Sequence, residues 1–535
     1  MTKSKGNRQS FAAGAAVLTV AAVIVKIIGA LYKIPLGNIL GDEGMGHFGI
    51  AYSIYNMLLT ISTAGFPVAM SKMISEANVA GRPNQIKRIF RVSMATFLTL
   101  GALGTGVMFF LNKQLAIVMK DILAAYSISA LAPSVLFVCI MSAYRGYTQG
   151  HTNMVPSAIS QVIEALCKLV IGTWLCWYLV KAGYGLEYGA AGAIVGVTIG
   201  TVLGAGYLFS NKVKVRYYGE TDDSDDVPDS YSDTFKRLFK IGVPITIGSS
   251  VLSIITLIDT NLVTRRLQTA AGFPEKEAVS LFGAYYNTQT LFNLPSSFIP
   301  PITISVIPTI TALVTQKNYG GSSRIAEASL RITTIFALPC GAGLMALSWP
   351  ILNLLYGKQP DLVDTGAPLL AILGAASFFV CMVLITNALL QAYGHVYTPI
   401  KTMLIGGAFK IVINWILVGN PRINITGAPI GTLVCYMVIA FLNMVALYRY
   451  APQRLNISRI FIKPMIASVI IGFFAWAAYG LLARFLGSPR LSVLIAIAAA
   501  AVLYLILVLL MRIITREDLE VIPKGEKIAR ILRLK

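Results

Sequence analysis

The chain has 535 residues, of which 56% are apolar and only 13% charged, and its formal net charge is +21. That charged share is about half of what soluble domains carry, and with a mean hydropathy of +0.71 it excludes a water-soluble core and leaves a polytopic membrane protein. The excess of base sits in short loops beside apolar stretches, where it sets topology and meets anionic membrane lipids, so a nucleic-acid role is excluded as well.

The first apolar run, 11–34, follows Lys3, Lys5 and Arg8 in the manner of a signal peptide. It is too long for one, carries Lys26 and Lys33, and has no clean cleavage region after it, so it reads as an uncleaved first span. Further spans are predicted over 46–74, 90–111, 122–144, 155–180, 188–210, 240–263, 281–315, 332–356, 366–391, 398–419, 427–448, 464–483 and 490–512. Each is close to the roughly 20 helical residues that cross a hydrocarbon slab. None resembles the ten-residue alternating segments of a membrane barrel. The expected fold is therefore all-α, with fourteen transmembrane helices. Between the first two spans, Gly41-Asp-Glu-Gly44 reads as a solvated acidic turn. Gly65 and Pro67 interrupt the second span, and Pro295, Pro300, Pro301 and Pro308 fall in the eighth. Proline removes intrahelical hydrogen bonds and bends a membrane helix, so these are hinge candidates or static kinks.

The loops orient the chain. With residues at span ends counted to the adjoining loop, one set of connections holds 29 basic residues and the other 11. Cytoplasmic loops hold the excess, so both termini are expected in the cytoplasm. The longest polar segment, 211–239, contains Asp222, Asp223, Asp225 and Asp226 and has the composition of a linker. It separates a first six-helix bundle, 1–210, from a second, 240–450. The segment 451–513 supplies an appended helix pair, and 514–535 is a basic tail. The bundles show an internal echo: Gln149-Gly-His-Thr-Asn-Met-Val-Pro156 resembles Gln391-Ala-Tyr-Gly-His-Val-Tyr-Thr-Pro399, and Lys168-Leu-Val-Ile-Gly-Thr-Trp174 resembles Lys410-Ile-Val-Ile-Asn-Trp415. The matching segments are six spans apart and equally oriented, which fits a parallel repeat.

Five charges fall inside spans against an insertion cost of roughly 2.5–3.5 kcal/mol each: Lys26, Glu164, Lys168, Asp259 and Lys410. Glu164 and Lys168 are four apart on one helix face and can pair. Asp259 can answer another lysine, or Arg265 or Arg266. Even with both acids paired the set keeps positive charge, and Arg145 at the cytoplasmic mouth adds to it. Ammonium and guanidinium groups in a low-dielectric interior are receptors for phosphate. A cavity for organic cations would want the opposite sign. Glu164 and Asp259 are also candidates for coupling to an ion or proton. The six cysteines all fall in spans without CxxC spacing, which implies neither disulfide nor metal site. His47, His151 and His395 lack zinc spacing, and no nucleotide-binding loop is present. No catalytic residue and no cofactor are expected.

Several segments carry a family resemblance: Lys26-Ile-Ile-Gly-Ala-Leu-Tyr-Lys-Ile-Pro35, Gly41-Asp-Glu-Gly-Met-Gly46, Gly65-Phe-Pro-Val-Ala-Met-Ser-Lys72, Tyr144-Arg-Gly-Tyr-Thr-Gln-Gly-His151, Ser160-Gln-Val-Ile-Glu164, Ile258-Asp-Thr-Asn261 and Ile307-Pro-Thr-Ile310. In order through both halves, they resemble the MurJ/SpoVB/YtgP group of polysaccharide and lipid-linked-precursor exporters, nearest its Gram-positive SpoVB/YtgP branch. The resemblance implies the MOP exporter fold, a bacterial cytoplasmic membrane, a monomer, and transport of an undecaprenyl-pyrophosphate-linked glycan, lipid II foremost, to the outer leaflet. It places Lys26 where such exporters have a functional arginine. Their further arginines in spans two and eight are replaced by uncharged Asn56-Met-Leu-Leu-Thr60 and Tyr286-Asn-Thr-Gln-Thr290. The head group is then expected on Lys26, Arg145, Lys168 and Lys410. Two alternatives remain: a MATE-like drug or metabolite antiporter of the same fold, and a membrane enzyme or scaffold in envelope or spore-cortex assembly.

Overall fold

The computed structural model describes residues 11–214, 226–451 and 456–514. The basic tail beyond Ile514 and the linker acids Asp222, Asp223 and Asp225 lie outside the described residues. Among the described residues every regular element is helical. Twelve helices are long and apolar enough to cross a membrane, against fourteen expected spans. One of them, Val20–Val79, runs through two expected spans, and the expected eighth is split into two helices below the same threshold.

The chain forms two compact units, one of Met1–Arg265 with Glu275–Gly283, the other of Arg266–Pro274 with Ala284–Lys535. The first begins with α1 (Phe11–Thr63), a helix of two arms joined at Gly41, whose φ of 64° suits a residue without Cβ. It continues with α2 (Phe66–Val79), α3 (Pro83–Phe110), α4 (Asn112–Val118), α5 (Ala124–Gly150), α6 (Val155–Cys167), a π-helical turn (Lys168–Gly172), α7 (Thr173–Lys181) and α8 (Leu186–Lys214). Then follow α9 (Tyr231–Thr269), α10 (Glu275–Ser296), α11 (Pro300–Thr315), α12 (Tyr319–Ala346), α13 (Ser348–Tyr356), α14 (Pro360–Ala392), α15 (Tyr397–Leu417), α16 (Gly427–Tyr450), α17 (Ile457–Leu486) and α18 (Pro489–Leu510).

The duplication extends to packing. Within the first unit α2 packs on α3 and α5, α3 on α5, α5 on α8, and α6 and α7 on α8. Within the second, α11 packs on α12 and α14, α12 on α14, α14 on α16, and α15 on α16. The short helices α4 and α13 repeat the pattern, each set against the helices before and after it. The Gln149 and Gln391 segments end α5 and α14, and Lys168 and Lys410 follow on the helices that succeed them. Outside the repeat, α17 packs on α12 and α18, with the Tyr504 hydroxyl donating to the Ile335 carbonyl at 2.5 Å. Phe473, Trp476 and Phe485 on α17 stay exposed, as lipid contact requires.

The proline-bearing breaks have a common form. α1 stops at Thr63, and Phe66 opens α2 with Pro67 in its first turn. Correspondingly, α10 carries Pro295 near its end, α11 opens with Pro300 and Pro301, and Pro308 lies inside α11. Proline at a first helical turn removes a donor that has no intrahelical partner anyway. Gly65 has a separate reason: a Cβ there would collide with the Gly242 carbonyl and the Thr246 hydroxyl of α9.

That contact is one of a series. The Ser53 and Thr260 hydroxyls meet at 3.1 Å and those of Thr60 and Ser253 at 2.8 Å. Helix α9, expected to open the second bundle, is held to the first unit along most of its length by these small, polar contacts. Such residues let membrane helices approach closely. The second unit buries its own polar knot: Asn443 donates to Asn387 at 2.7 Å and to Thr386 at 3.1 Å, and accepts from Thr402 at 2.7 Å.

Candidate functional site

Lys26 and Lys33 lie on one arm of α1, seven residues and therefore two turns apart, on the same face and separated by roughly 10 Å of rise. Between them Gly29 leaves open space where a Cβ would stand. The Lys26 side chain is exposed and that of Lys33 is half-buried. Lys33 is near enough to Lys168 for the two ammoniums to repel. The roughly 10 Å of rise between Lys26 and Lys33 corresponds to a repulsion of roughly 1.7 kcal/mol at an effective dielectric near 20, and an anion between them reverses that sign.

Lys168 opens the π-helical turn that ends at Gly172. The widened turn stands where α8 comes closest: a Cβ on Gly172 would lie 2.6 Å from the Ala193 carbonyl, and one on Gly196 would collide with Gly172 itself. The Tyr32 hydroxyl donates to the same Ala193 carbonyl at 2.8 Å. Tyr32 adjoins Lys33, so this bond fixes the rotation of α1 against α8 and thereby the direction in which Lys33 leaves the helix. π-Turns are frequent where a helix carries function.

Glu164 has a different partner from the one its spacing offers. The Arg145 guanidinium lies 3.6 Å from its carboxylate and donates to the Ser160 hydroxyl at 3.0 Å. Ser160 and Glu164 are one turn apart on α6, so the guanidinium of α5 spans both. No ion pair joins Glu164 to Lys168 among the described residues. The pairing neutralises Arg145 and leaves Lys168 with the other lysines. Asp259 is buried at 4% exposure on α9, beside Thr260. Arg266 is engaged elsewhere, donating to the Trp415 carbonyl at 3.0 Å and stacking on its ring at 4.3 Å. Lys410 is buried within the second unit, one turn before the fully buried Asn414.

In the first unit Arg145 meets Glu164 across α5 and α6, and Lys33, which sequence reasoning noted only as a charge in an apolar run, stands two turns from Lys26 and within repulsion of Lys168. The seven-residue spacing from Lys26 was the signal for it. Arg331, 4% exposed on α12, was also hidden, because its position resembles a loop end. The segment Gly41–Gly44 is not a solvated turn. Glu43 pairs with Lys276 at 3.2 Å, Gly44 is buried, and the Asp42 carbonyl fills the space where Gly283 would carry a Cβ. Next to it, His47 and Asp121 form a buried pair at 2.6 Å.

The chain is 28% identical over 531 residues to the Bacillus subtilis membrane protein YabM, covering 97% of this chain and 96% of that one. It is 25% identical to the stage V sporulation protein B of the same organism, covering 96% and 98%. With the B. subtilis lipid II flippase MurJ it shares 24% identity, covering 91% and 92%. Among solved structures, lipid II flippase MurJ in an inward closed conformation matches with a TM-score of 0.70 at 17% identity, covering 93% of this chain and 98% of that one. An inward-facing multidrug resistance MATE transporter of the MOP superfamily matches at 0.66 and 15%, covering 81% and 97%. The protein is therefore a multi-pass membrane protein with the MOP exporter fold. The model for polysaccharide biosynthesis proteins matches residues 11–314, more than half of the chain, and the protein belongs to that family.

Proposed function

We propose that the protein is a flippase that moves an undecaprenyl-pyrophosphate-linked glycan, lipid II foremost, from the inner to the outer leaflet by alternating access. The observation that carries this reading is the row of lysines Lys26, Lys33 and Lys168, with Arg145 of the same unit paired to Glu164. Lys26 is exposed and Lys33 and Lys168 are half-buried, so a ligand can reach their ammonium groups, and cationic groups in an apolar setting favour an anionic one. A pyrophosphate is such a ligand. Lys410 follows α14 as Lys168 follows α5 and is the second unit's own candidate for binding phosphate. The polyprenyl tail stays in the bilayer beside α17 and α18, while the glycan, too polar for hydrocarbon, passes through the protein.

The names of relatives along nearly the full length, a lipid II flippase among them, support the substrate class. A cargo of organic cations is disfavoured by the same three lysines. Asp259, buried in the first unit, and Glu164, beside Arg145, are the candidates for ion or proton coupling. Both termini face the cytoplasm in this reading, and one chain suffices. Expression in cells depleted of their lipid II flippase tests the substrate: rescue of growth supports it, and failure at normal membrane levels of the protein rejects lipid II.

A further inference from the structure

At the start of α3, two adjoining hollows in the first unit make an amphiphilic pocket that the proposed transport path does not use. The upper one, of about 330 Å³, is lined by Asn84, Lys87, Arg88, Arg91 and Pro228. The lower, of about 530 Å³, lies between α3 and the start of α9, floored by Ala95, Thr96 and Thr99 and walled by Leu100, Phe235 and Phe239. Arg91 lines both, so they adjoin at its side chain. Small residues on α3 open the hollow. Stacked aromatics hold its far wall, with Phe235 and Phe239 at 4.3 Å and Phe239 edge-on to Phe66 at 5.1 Å.

The basic rim is prepared, and among the described residues no carboxylate lines either hollow. Asp226, the last residue of the acidic run, accepts from the backbone N–H groups of Asn84 and Gln85 at 3.0 and 3.1 Å and so fills the N-terminus of α3. Asp229 is held by Arg82 at 2.9 Å and by Gln85 at 3.2 Å. These bonds pin Asp226 and Asp229 to α3, one at the helix N-terminus and the other at Arg82. Arg88 donates to the Asp229 carbonyl at 2.9 Å and stacks on Tyr231 at 4.0 Å, which sets its guanidinium at the rim.

We infer that this pocket binds an anionic glycerophospholipid, its phosphate on Lys87, Arg88 and Arg91 and one acyl chain between α3 and α9. A basic head subsite directly above an apolar slot is complementary in charge and polarity to that molecule, and cationic side chains near a membrane surface each favour anionic lipid. The slot has the size of a small-ligand pocket, and undecaprenyl phosphate is the competing occupant that the test includes. Occupancy braces α9 against α3 from the membrane side.

Native mass spectrometry of the detergent-purified full chain, titrated with phosphatidylglycerol or phosphatidylcholine of equal chain length, tests it. The native protein is expected to prefer phosphatidylglycerol by about tenfold. Arg91→Ala is expected to remove most of that preference and Arg91→Lys to keep it, while Ala95→Trp lowers retention of both lipids. A monodisperse, native-like melting profile certifies each variant. Equal binding of both lipids to the native chain overturns the proposal, as does a preference unchanged in Arg91→Ala or a retention of both lipids unchanged in Ala95→Trp. Stronger retention of undecaprenyl phosphate than of phosphatidylglycerol at the same site overturns it too.

Discussion

Lys33 shows how a residue gains meaning from its neighbours. Alone it is a lysine near the end of an apolar run; with Lys26 two turns before it and Lys168 beside it, it belongs to a basic face. A charge-assisted hydrogen bond contributes about 1.5–3 kcal/mol, so Lys33→Ala is expected to lower the flipping rate by roughly 10- to 100-fold if the pyrophosphate rests there. Lys33→Arg should retain most of the activity, and the readout is transport in proteoliposomes. Glu164 makes the complementary case. Its geometry predicts a coupling of about 1 kcal/mol between Arg145 and Glu164 and almost none between Lys168 and Glu164 in double-mutant cycles read by thermal melting. At 3.6 Å, with 15% and 22% of the two side chains exposed, the upper end of the range measured for solvent-accessible ion pairs applies. A larger coupling to Lys168 would reinstate the partner that the sequence spacing offers.

Helices and their breaks were the most legible level in the sequence. Apolar length located the spans, and proline and glycine located the interruptions at 63–66 and 296–300, because both effects are local. Three features escaped because they depend on a partner distant in sequence. The Gly41 turn read as solvated, since nothing nearby shows that α10 covers it. The π-turn at Lys168 has no local breaker and answers to the approach of α8. The attachment of α9 to α1 rests on hydroxyls and glycines about two hundred residues apart. Gly65 tests that attachment. Gly65→Val is expected to cost about 1–3 kcal/mol by overpacking against α9, read as a lower melting temperature, whereas Gly29→Val, with open space around it, should be close to neutral for stability. Equal effects would show that Gly65 is needed for something other than the close approach.

The whole molecule is a duplicated bundle with an appended pair, and its duplication is clearer in packing than in sequence. Gln149 with Gln391 and Lys168 with Lys410 gave the correct register, but apolar positions tolerate so many exchanges that the rest of the repeat was erased. The candidate site was only partly legible: the sign of its charge came from composition along the spans, while the choice of which charges cancel came from Arg145 and Glu164 meeting across two helices. Orientation belongs to this scale as well. Reporter fusions at each terminus should both be active on the cytoplasmic side, and opposite locations would require an odd number of crossings. The central claim, that a basic face receives a lipid-linked pyrophosphate for transport, is tested most directly by lipid II translocation into proteoliposomes carrying the native chain and Lys26→Ala. The account predicts translocation by the native protein and at least about a tenfold loss in the variant; full activity in Lys26→Ala, or no translocation by the folded native chain, would contradict it.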